Sequence, residues 1–258
     1  MTALETFSLA GRTVLVTGGA GGIGSATALR LCEAGARVAI HYFRAATAAA
    51  GLRERISGEG GAALCVQADL SEAAGVDTLL EALAERDWLP DGVVNMAARQ
   101  DVTPFADITA AEWRRLMATN LDAIFLLTRR FAARWQAAGR GGAIVNVASI
   151  EGLDPAPGHA HYATSKAGLI MLTKAAAMEL GPHGIRVNAV SPGLVDRDGL
   201  AEHWPEGVAR WRAKAPLGRL GRGNDVADAV VYLLSPAAAW VSGANLVVDG
   251  GMSAAARW

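Results

Sequence analysis

The sequence predicts an α/β fold: one doubly wound domain built on a central, mostly parallel, seven-stranded sheet flanked by helices. Three observations predict it. Short Val/Ile/Leu-rich segments of strand length recur at 12–17, 37–42, 62–67, 92–95, 143–148, 186–190 and 245–248. Most of them are continuously apolar rather than alternating, as parallel strands covered on both faces should be. Longer Ala/Leu-rich stretches with helical spacing stand between them.

The elements follow in order. The first strand runs into a glycine cluster, and a helix is expected over 22–34, closed by Gly35. The second strand is followed by the run 45–50, read as the start of a helix. After the third strand, Ser71 with acidic residues nearby is the expected start of a helix over 71–86. The fourth strand leads to a long helical stretch, 110–138. After the fifth strand comes a helix over 162–180, with Gly181 expected at its end. The sixth strand opens into a segment, about 194–216, of lid character. A helix over 225–234 and the last strand complete the pattern. No linker, repeat or low-complexity block divides the chain, so a single domain over 1–258 is expected.

Composition narrows the function. Of 258 residues, 52% are hydrophobic and 19% charged, which supports a large core and excludes global disorder. Lys plus Arg is 24 and Asp plus Glu is 25, so the basic excess of a nucleic-acid binder is missing. Cys32 and Cys65 stand far apart, with no CxxC or zinc-ligand spacing. They read as reduced, buried thiols of a cytoplasmic protein without a metal site. The start of the chain carries Glu5 and no continuous apolar segment, unlike a secretory signal. No stretch approaches the roughly 18 uncharged apolar residues of a membrane-spanning helix.

The glycine cluster carries the first chemistry. Thr17 to Gly24 join the first strand to the first helix, with Gly18, Gly22 and Gly24 in Gly-x-x-x-Gly-x-Gly spacing. Glycines at such a turn permit positive φ and let backbone amides approach a pyrophosphate at the helix N-terminus. This is the setting of a Rossmann-type dinucleotide site, with Ile23 inside the loop. The second strand ends in His41-Tyr42-Phe43-Arg44 and has no acid to read a ribose 2′-hydroxyl. Arg44 can instead give a phosphate paired hydrogen bonds, which favours NADP(H) over NAD(H).

Tyr162 and Lys166 stand four residues apart on one helical face. A free phenol, with a pKa of about 10, is a poor acid–base group at neutral pH, and a nearby ammonium moves it toward the working range. Ser149 follows the fifth strand at the edge where ligands bind in such sheets. It can donate to a carbonyl oxygen as negative charge develops.

With these residues together, the sequence resembles the short-chain dehydrogenase/reductase family from about Gly11 to Gly251, with a likeness to 3-oxoacyl reductases. Asp69-Leu70, Asn95, Asn120, Pro192-Gly193 and Val248-Asp249-Gly250-Gly251 match it as well. The resemblance implies Tyr162 as general acid, Ser149 as the group that polarises the carbonyl, and Lys166 on the nicotinamide ribose. It implies Asn120 as the holder of a water in a proton relay, and Asp69 with Leu70 beside the adenine. Asn95 and Ala97 would border the cofactor, and Pro192, Gly193 and Val195 would wall the nicotinamide. The implied activity is NADPH-dependent reduction of a ketone or 3-oxoacyl-type carbonyl. An NAD-dependent alcohol, sugar or steroid dehydrogenase, a pteridine reductase and a non-catalytic nucleotide sensor are the alternatives. The expected partners are a small-molecule carbonyl or alcohol and further copies of the chain in a homotetramer.

Three positions depart from the family pattern. Ala98 stands where glycine is usual, Arg197 where many relatives have a threonine, and Gly21 where NADP-preferring relatives often have a basic residue. In the lid, Trp204 and Trp211 suit either a flat substrate or packing of the lid on the body. His159 and His161 are read as surface or capping residues more than pocket residues. Arg99, Gln100 and Glu151 follow strand ends and could face substrate.

Overall fold

In the computed structural model, which describes residues 3–254, alternate residues of the inner strands feed two different cores. Val14 and Val16 of the first strand face one layer, and Leu15 between them faces the other. This is why the inner strands read as continuously apolar: the side-chain period of two places successive residues in one core and then the other. The strands are β1 (Thr13–Val16), β2 (Arg37–Tyr42), β3 (Ala63–Gln67), β4 (Gly92–Asn95), β5 (Gly142–Val147), β6 (Ile185–Pro192) and β7 (Asn245–Val248). They form one sheet in the order β3-β2-β1-β4-β5-β6-β7. Every pairing is parallel. The direction of winding reverses between β1 and β4, which opens a crevice at their carboxyl ends.

The helices are α1 (Ala3–Thr6), α2 (Gly22–Glu33), α3 (Ala46–Gly58), α4 (Ala73–Ala84), α5 (Ala110–Met117), α6 (Ala123–Ala137), α7 (Ala160–Leu180), α8 (Leu200–His203), α9 (Pro205–Lys214) and α10 (Gly223–Leu234). Leu31 of α2 with Val226 and Val230 of α10 cover one face of the sheet. Leu79 and Leu83 of α4 with Leu127, Phe131 and Trp135 of α6 cover the other.

Two expectations for helix boundaries are corrected. Helix α4 begins at Ala73 behind Glu72, not at Ser71, because the Ser71 hydroxyl donates to Asp69 Oδ1 at 2.7 Å instead of capping the helix. Gly181 stands at the end of α7, as expected, with φ −55°; a short 3-10 turn follows, and the left-handed residue is Gly184 at φ 70°. The helical stretch 110–138 is broken by a π-turn, Ala118–Asp122, which buries Asn120. An extra residue in a helical turn of this kind is frequent at functional sites.

The lid segment holds α8 and α9. Leu200, Val208 and Leu220 form its small core with Leu194 and Trp211. No helix among the described residues is long and apolar enough to cross a membrane. Residues 1, 2 and 255–258 of the expected single domain lie outside the described residues.

Candidate active site

The loop after β1 is held from three sides. Thr17 Oγ1 accepts from the N–H of Met96 and of Ala97 at 2.9 and 3.1 Å, tying the ends of β1 and β4 together. Gly18 has φ 66°, and a Cβ there would stand 3.0 Å from Ala97 Cα. The Gly18 N–H donates to His41 Nδ1 at 3.1 Å, and His41 Nε2 lies 3.1 Å from the Ala68 carbonyl. The proton therefore sits on Nε2 and the ring is neutral. Burial pushes the His41 pKa below its usual 6.5. His41 has no exposed charge or motif to mark it in the sequence, and its role becomes visible only in the fold.

The glycines of the loop have separate jobs. A Cβ on Gly24 would lie 2.3 Å from the Gly18 carbonyl, so Gly24 lets the helix pack on the loop. A Cβ on Gly22 would meet nothing within 4 Å. The open space thus lies at the first turn of α2, whose N-cap Gly21 makes no side-chain capping bond. The first amides of α2 face that space, as an anion site requires. The Ile23 side chain packs against the core beneath. These features fit the pyrophosphate of a dinucleotide.

Beyond β2, the exposed Arg44 guanidinium lies 4.9 Å over the Phe43 ring. It also helps hold the Asp69 carboxyl below its usual range, after the two larger contributions from hydrogen bonds of Ser71. Leu70 beside Asp69 is buried. Ala98 is exposed, so its methyl group displaces no packed neighbour. Pro192 ends β6, and the Gly193 N–H donates to the Val248 carbonyl at 3.0 Å. Val195 forms a parallel bridge with Gly221, so the wall after β6 is pinned at both ends. A Cβ on Gly193 would stand 2.8 Å from Trp211 Cζ2; Trp211 thus packs the lid on the body. Trp204 packs over Gly207 within the lid.

At the carboxyl end of β5, Ser149 and Tyr162 meet. The Ser149 hydroxyl lies close enough to the Tyr162 phenol to favour its ionised form, and it accepts from the Glu151 N–H at 3.1 Å. Lys166 is buried, and its Nζ donates to the Val147 carbonyl at 2.8 Å. That ammonium stands 5.6 Å from the centre of the Tyr162 ring. The expectation that it draws the phenol pKa down is not met here. Burial pushes the Tyr162 pKa up to about 12; the Ser149 hydroxyl opposes this and Glu151 adds to it. Burial lowers Lys166 to about 8. Desolvation of both groups outweighs their attraction because the lysine is turned to the sheet. Its Nζ has three N–H groups and, among the described residues, one acceptor, which leaves donors for a pair of ribose hydroxyls.

Two buried asparagines hold the elements around the site together. Asn95 Nδ2 donates to Asn146 Oδ1 at 2.8 Å, and Asn146 Nδ2 donates to Thr173 Oγ1 at 2.9 Å. These bonds tie β4, β5 and α7 together. The Asn95 side chain therefore ties the end of β4 to β5 beneath the site. Asn146 and Thr173 were not singled out in the sequence, although an asparagine inside an apolar strand was a signal. Asn120 Nδ2 donates to the Arg99 carbonyl and to Ser165 Oγ at 2.9 and 3.1 Å, and Asn120 Oδ1 accepts from the Arg99 N–H at 2.8 Å.

His159 is not a surface residue: its ring stands edge-on to Tyr162 at 6.0 Å and its Nδ1 lies 2.7 Å from Glu151 Oε2. His161 is fully buried and faces Glu112 of α5 at 3.7 Å. Arg197 is exposed at the start of the lid.

This constellation, on a sheet of this order, defines a class of dinucleotide-dependent oxidoreductase. Residues 18–253 match the family model described as enoyl-(acyl carrier protein) reductase. L-rhamnose 1-dehydrogenase (NAD(P)(+)) of Azotobacter vinelandii is 38% identical over 246 residues, 93% of this chain and 96% of that protein. A 3-oxoacyl-[acyl-carrier-protein] reductase of Synechocystis is 35% identical over 246 residues, 95% of this chain and 98% of that one. The crystal structure of a gluconate 5-dehydrogenase from Burkholderia cenocepacia, in complex with NADP and tartrate, superposes with a TM-score of 0.91 at 33% identity. That likeness covers 98% of this chain and 100% of the other. The chain belongs to the short-chain dehydrogenase/reductase family of NAD(P)-dependent oxidoreductases.

Proposed function

We propose that the protein is an NADPH-dependent reductase of a ketone or 3-oxoacyl-type carbonyl, with Tyr162 as its general acid. The observation that carries this reading is the meeting of the Ser149 and Tyr162 hydroxyls at the carboxyl edge of β5, above buried Lys166. A nicotinamide bound along this edge supplies the hydride. Ser149 donates to the carbonyl oxygen and Tyr162 gives its proton to the same oxygen. One carbonyl, one hydride and one proton give one alcohol, and oxidation runs the same steps backward. A phenol pushed up to about 12 stays protonated across the neutral range, as the acid of a reduction must. Lys166 orients the ribose through its two remaining N–H groups, and Asn120 holds a water that links the lysine to a proton relay.

Arg44 reads the 2′-phosphate, Asp69 meets the adenine amino group, and Ala97, Pro192, Gly193 and Val195 flank the rest of the dinucleotide. Residues 1–258 act as one dinucleotide-binding unit with a lid over 194–216. The NADP carried by the Burkholderia gluconate 5-dehydrogenase supports the cofactor choice. Loss of absorbance at the nicotinamide band tests the function, with ketones, 3-oxoacyl thioesters, quinones and pterins offered against NADPH and NADH. Turnover of none of them overturns it.

The protein works as a cytoplasmic homotetramer. Burial keeps the free thiols of Cys32 and Cys65 protonated, with Cys32 pushed up to about 11. Two separate apolar surfaces support the assembly: Phe125, Met171 and Met178 on α6 and α7, and Trp240, Leu246 and Val247 at the β7 edge. Two different self-complementary faces generate a closed tetramer. Sedimentation at micromolar concentration should give four chains; monomer alone refutes the assembly.

A further inference from the structure

Glu151 and His159 stand beside the reacting hydroxyls but take no part in the proton or hydride step. Glu151 lies in the 3-10 turn that Ser149 caps, and its N–H donates to Ser149 Oγ. His159 stands just before α7, three residues ahead of Tyr162. The two side chains are joined at 2.7 Å, with His159 15% and Glu151 16% exposed, so they are largely covered yet still reachable from solvent. Gln100, from the segment after β4, reaches Glu151 Oε1 at 3.5 Å. Three segments thus bring polar groups together next to Tyr162.

The polarity of this cluster has a direction. When His159 Nδ1–H donates to Glu151 Oε2, His159 Nε2 is left as an acceptor, and it has no partner among the described residues. Glu151 Oε1 has one long contact from an exposed side chain. Both open positions accept hydrogen bonds, and both call for a donor. A hydroxyl on the substrate answers them with a charge-assisted bond to the carboxylate. A hydrocarbon arm would strip water from Glu151 and return no hydrogen bond, which carries the full desolvation cost. A substrate carboxylate would meet a like charge, and neighbouring Arg99 is already held by both oxygens of Asp101.

We propose that Glu151 and His159 form a hydroxyl-reading subsite that selects ketones with a hydroxyl beside the reacting carbon, the polyol and sugar class, over hydrocarbon ketones. This inference rests on the carbonyl-reductase reading above. Within it, Glu151 and His159 fix the substrate while Ser149 and Tyr162 do the chemistry.

The test uses the full chain, NADPH and two ketones of nearly equal size, hydroxyacetone and butan-2-one. The informative quantity is the ratio of their kcat/KM values in each variant. Because the intrinsic difference between the two ketones cancels between variants, the ratio should fall by about 10- to 100-fold in Glu151→Ala. It should also fall in His159→Phe, which keeps a ring against Tyr162. A role confined to holding the loop lowers both ketones together and leaves the ratio unchanged, which overturns the subsite. If the parent protein reduces neither ketone nor any carbonyl of the panel, the reductase reading fails on its own. The subsite is then read by ligand-observed NMR of cis-cyclohexane-1,2-diol with the parent and Glu151→Ala. Loss of the diol signal in the variant upholds it, and equal signals, or none in either, overturn it.

Discussion

The Gly18 N–H donates to His41 Nδ1, and the same ring donates from Nε2 to the Ala68 carbonyl, both at 3.1 Å. One neutral imidazole therefore braces the glycine loop after β1 against the end of β3. Protonation at Nδ1 would replace the acceptor that Gly18 needs with a second donor.

That brace predicts a pH dependence. Burial holds the folded pKa of His41 below 6.5, opposed by the Ala68 carbonyl and by Asp69. A base with a depressed folded pKa binds fewer protons when folded than when unfolded. Its stabilising contribution is full above 6.5 and is lost as pH falls toward the folded value. Thermal melts between about pH 5 and pH 8 should show the parent losing Tm on the acid side more steeply than His41→Asn. The asparagine oxygen stands in for Nδ1 and does not titrate. Parallel curves would assign the acid sensitivity elsewhere.

Lys166 predicts a conflict between stability and activity. Its pKa falls from 10.5 to about 8 on burial, so the folded state carries a desolvation cost that is complete below 8 and vanishes above 10.5. Lys166→Met should raise the Tm at neutral pH, at about 2–4 °C for each kcal/mol gained. The gain should shrink as pH rises through that window, while turnover falls by about 10²-fold or more. A variant that melts below the parent at pH 7 would show that the Val147 bond outweighs the desolvation.

Arg44 predicts cofactor choice. Arg44→Ala should raise the Kd for NADPH by about 10- to 100-fold, the range of a lost charge-assisted hydrogen bond, and leave that for NADH little changed. Fluorescence titration with both cofactors measures this. Equal weakening would mean that Arg44 does not read the phosphate.

The strands were legible because parallel sheets need uninterrupted apolar segments, and 37–42, 92–95 and 245–248 coincide with β2, β4 and β7. The glycine loop, Ser149, Tyr162 and Lys166 were legible because their spacing is short-range. The supports were not. His41 and Ala68 are 27 residues apart, and Asn95 and Asn146 are 51 apart. Nothing in a single chain read end to end says that these pairs meet. Ser71 misled for a related reason: a serine before a helix can cap it or bond back to an aspartate, and only the turn at Asp69 decides. The direction of the Tyr162 shift was also hidden, because Tyr162-to-Lys166 spacing puts the ammonium on the right face without showing that it turns to Val147.

The measurement that tests the account most directly is a paired one on Tyr162→Phe, NADPH binding by fluorescence and carbonyl reduction by absorbance. With only the hydroxyl removed, NADPH should bind as in the parent while turnover falls by about 10²-fold or more. Reduction at the parent rate would contradict the assignment of Tyr162 as the acid.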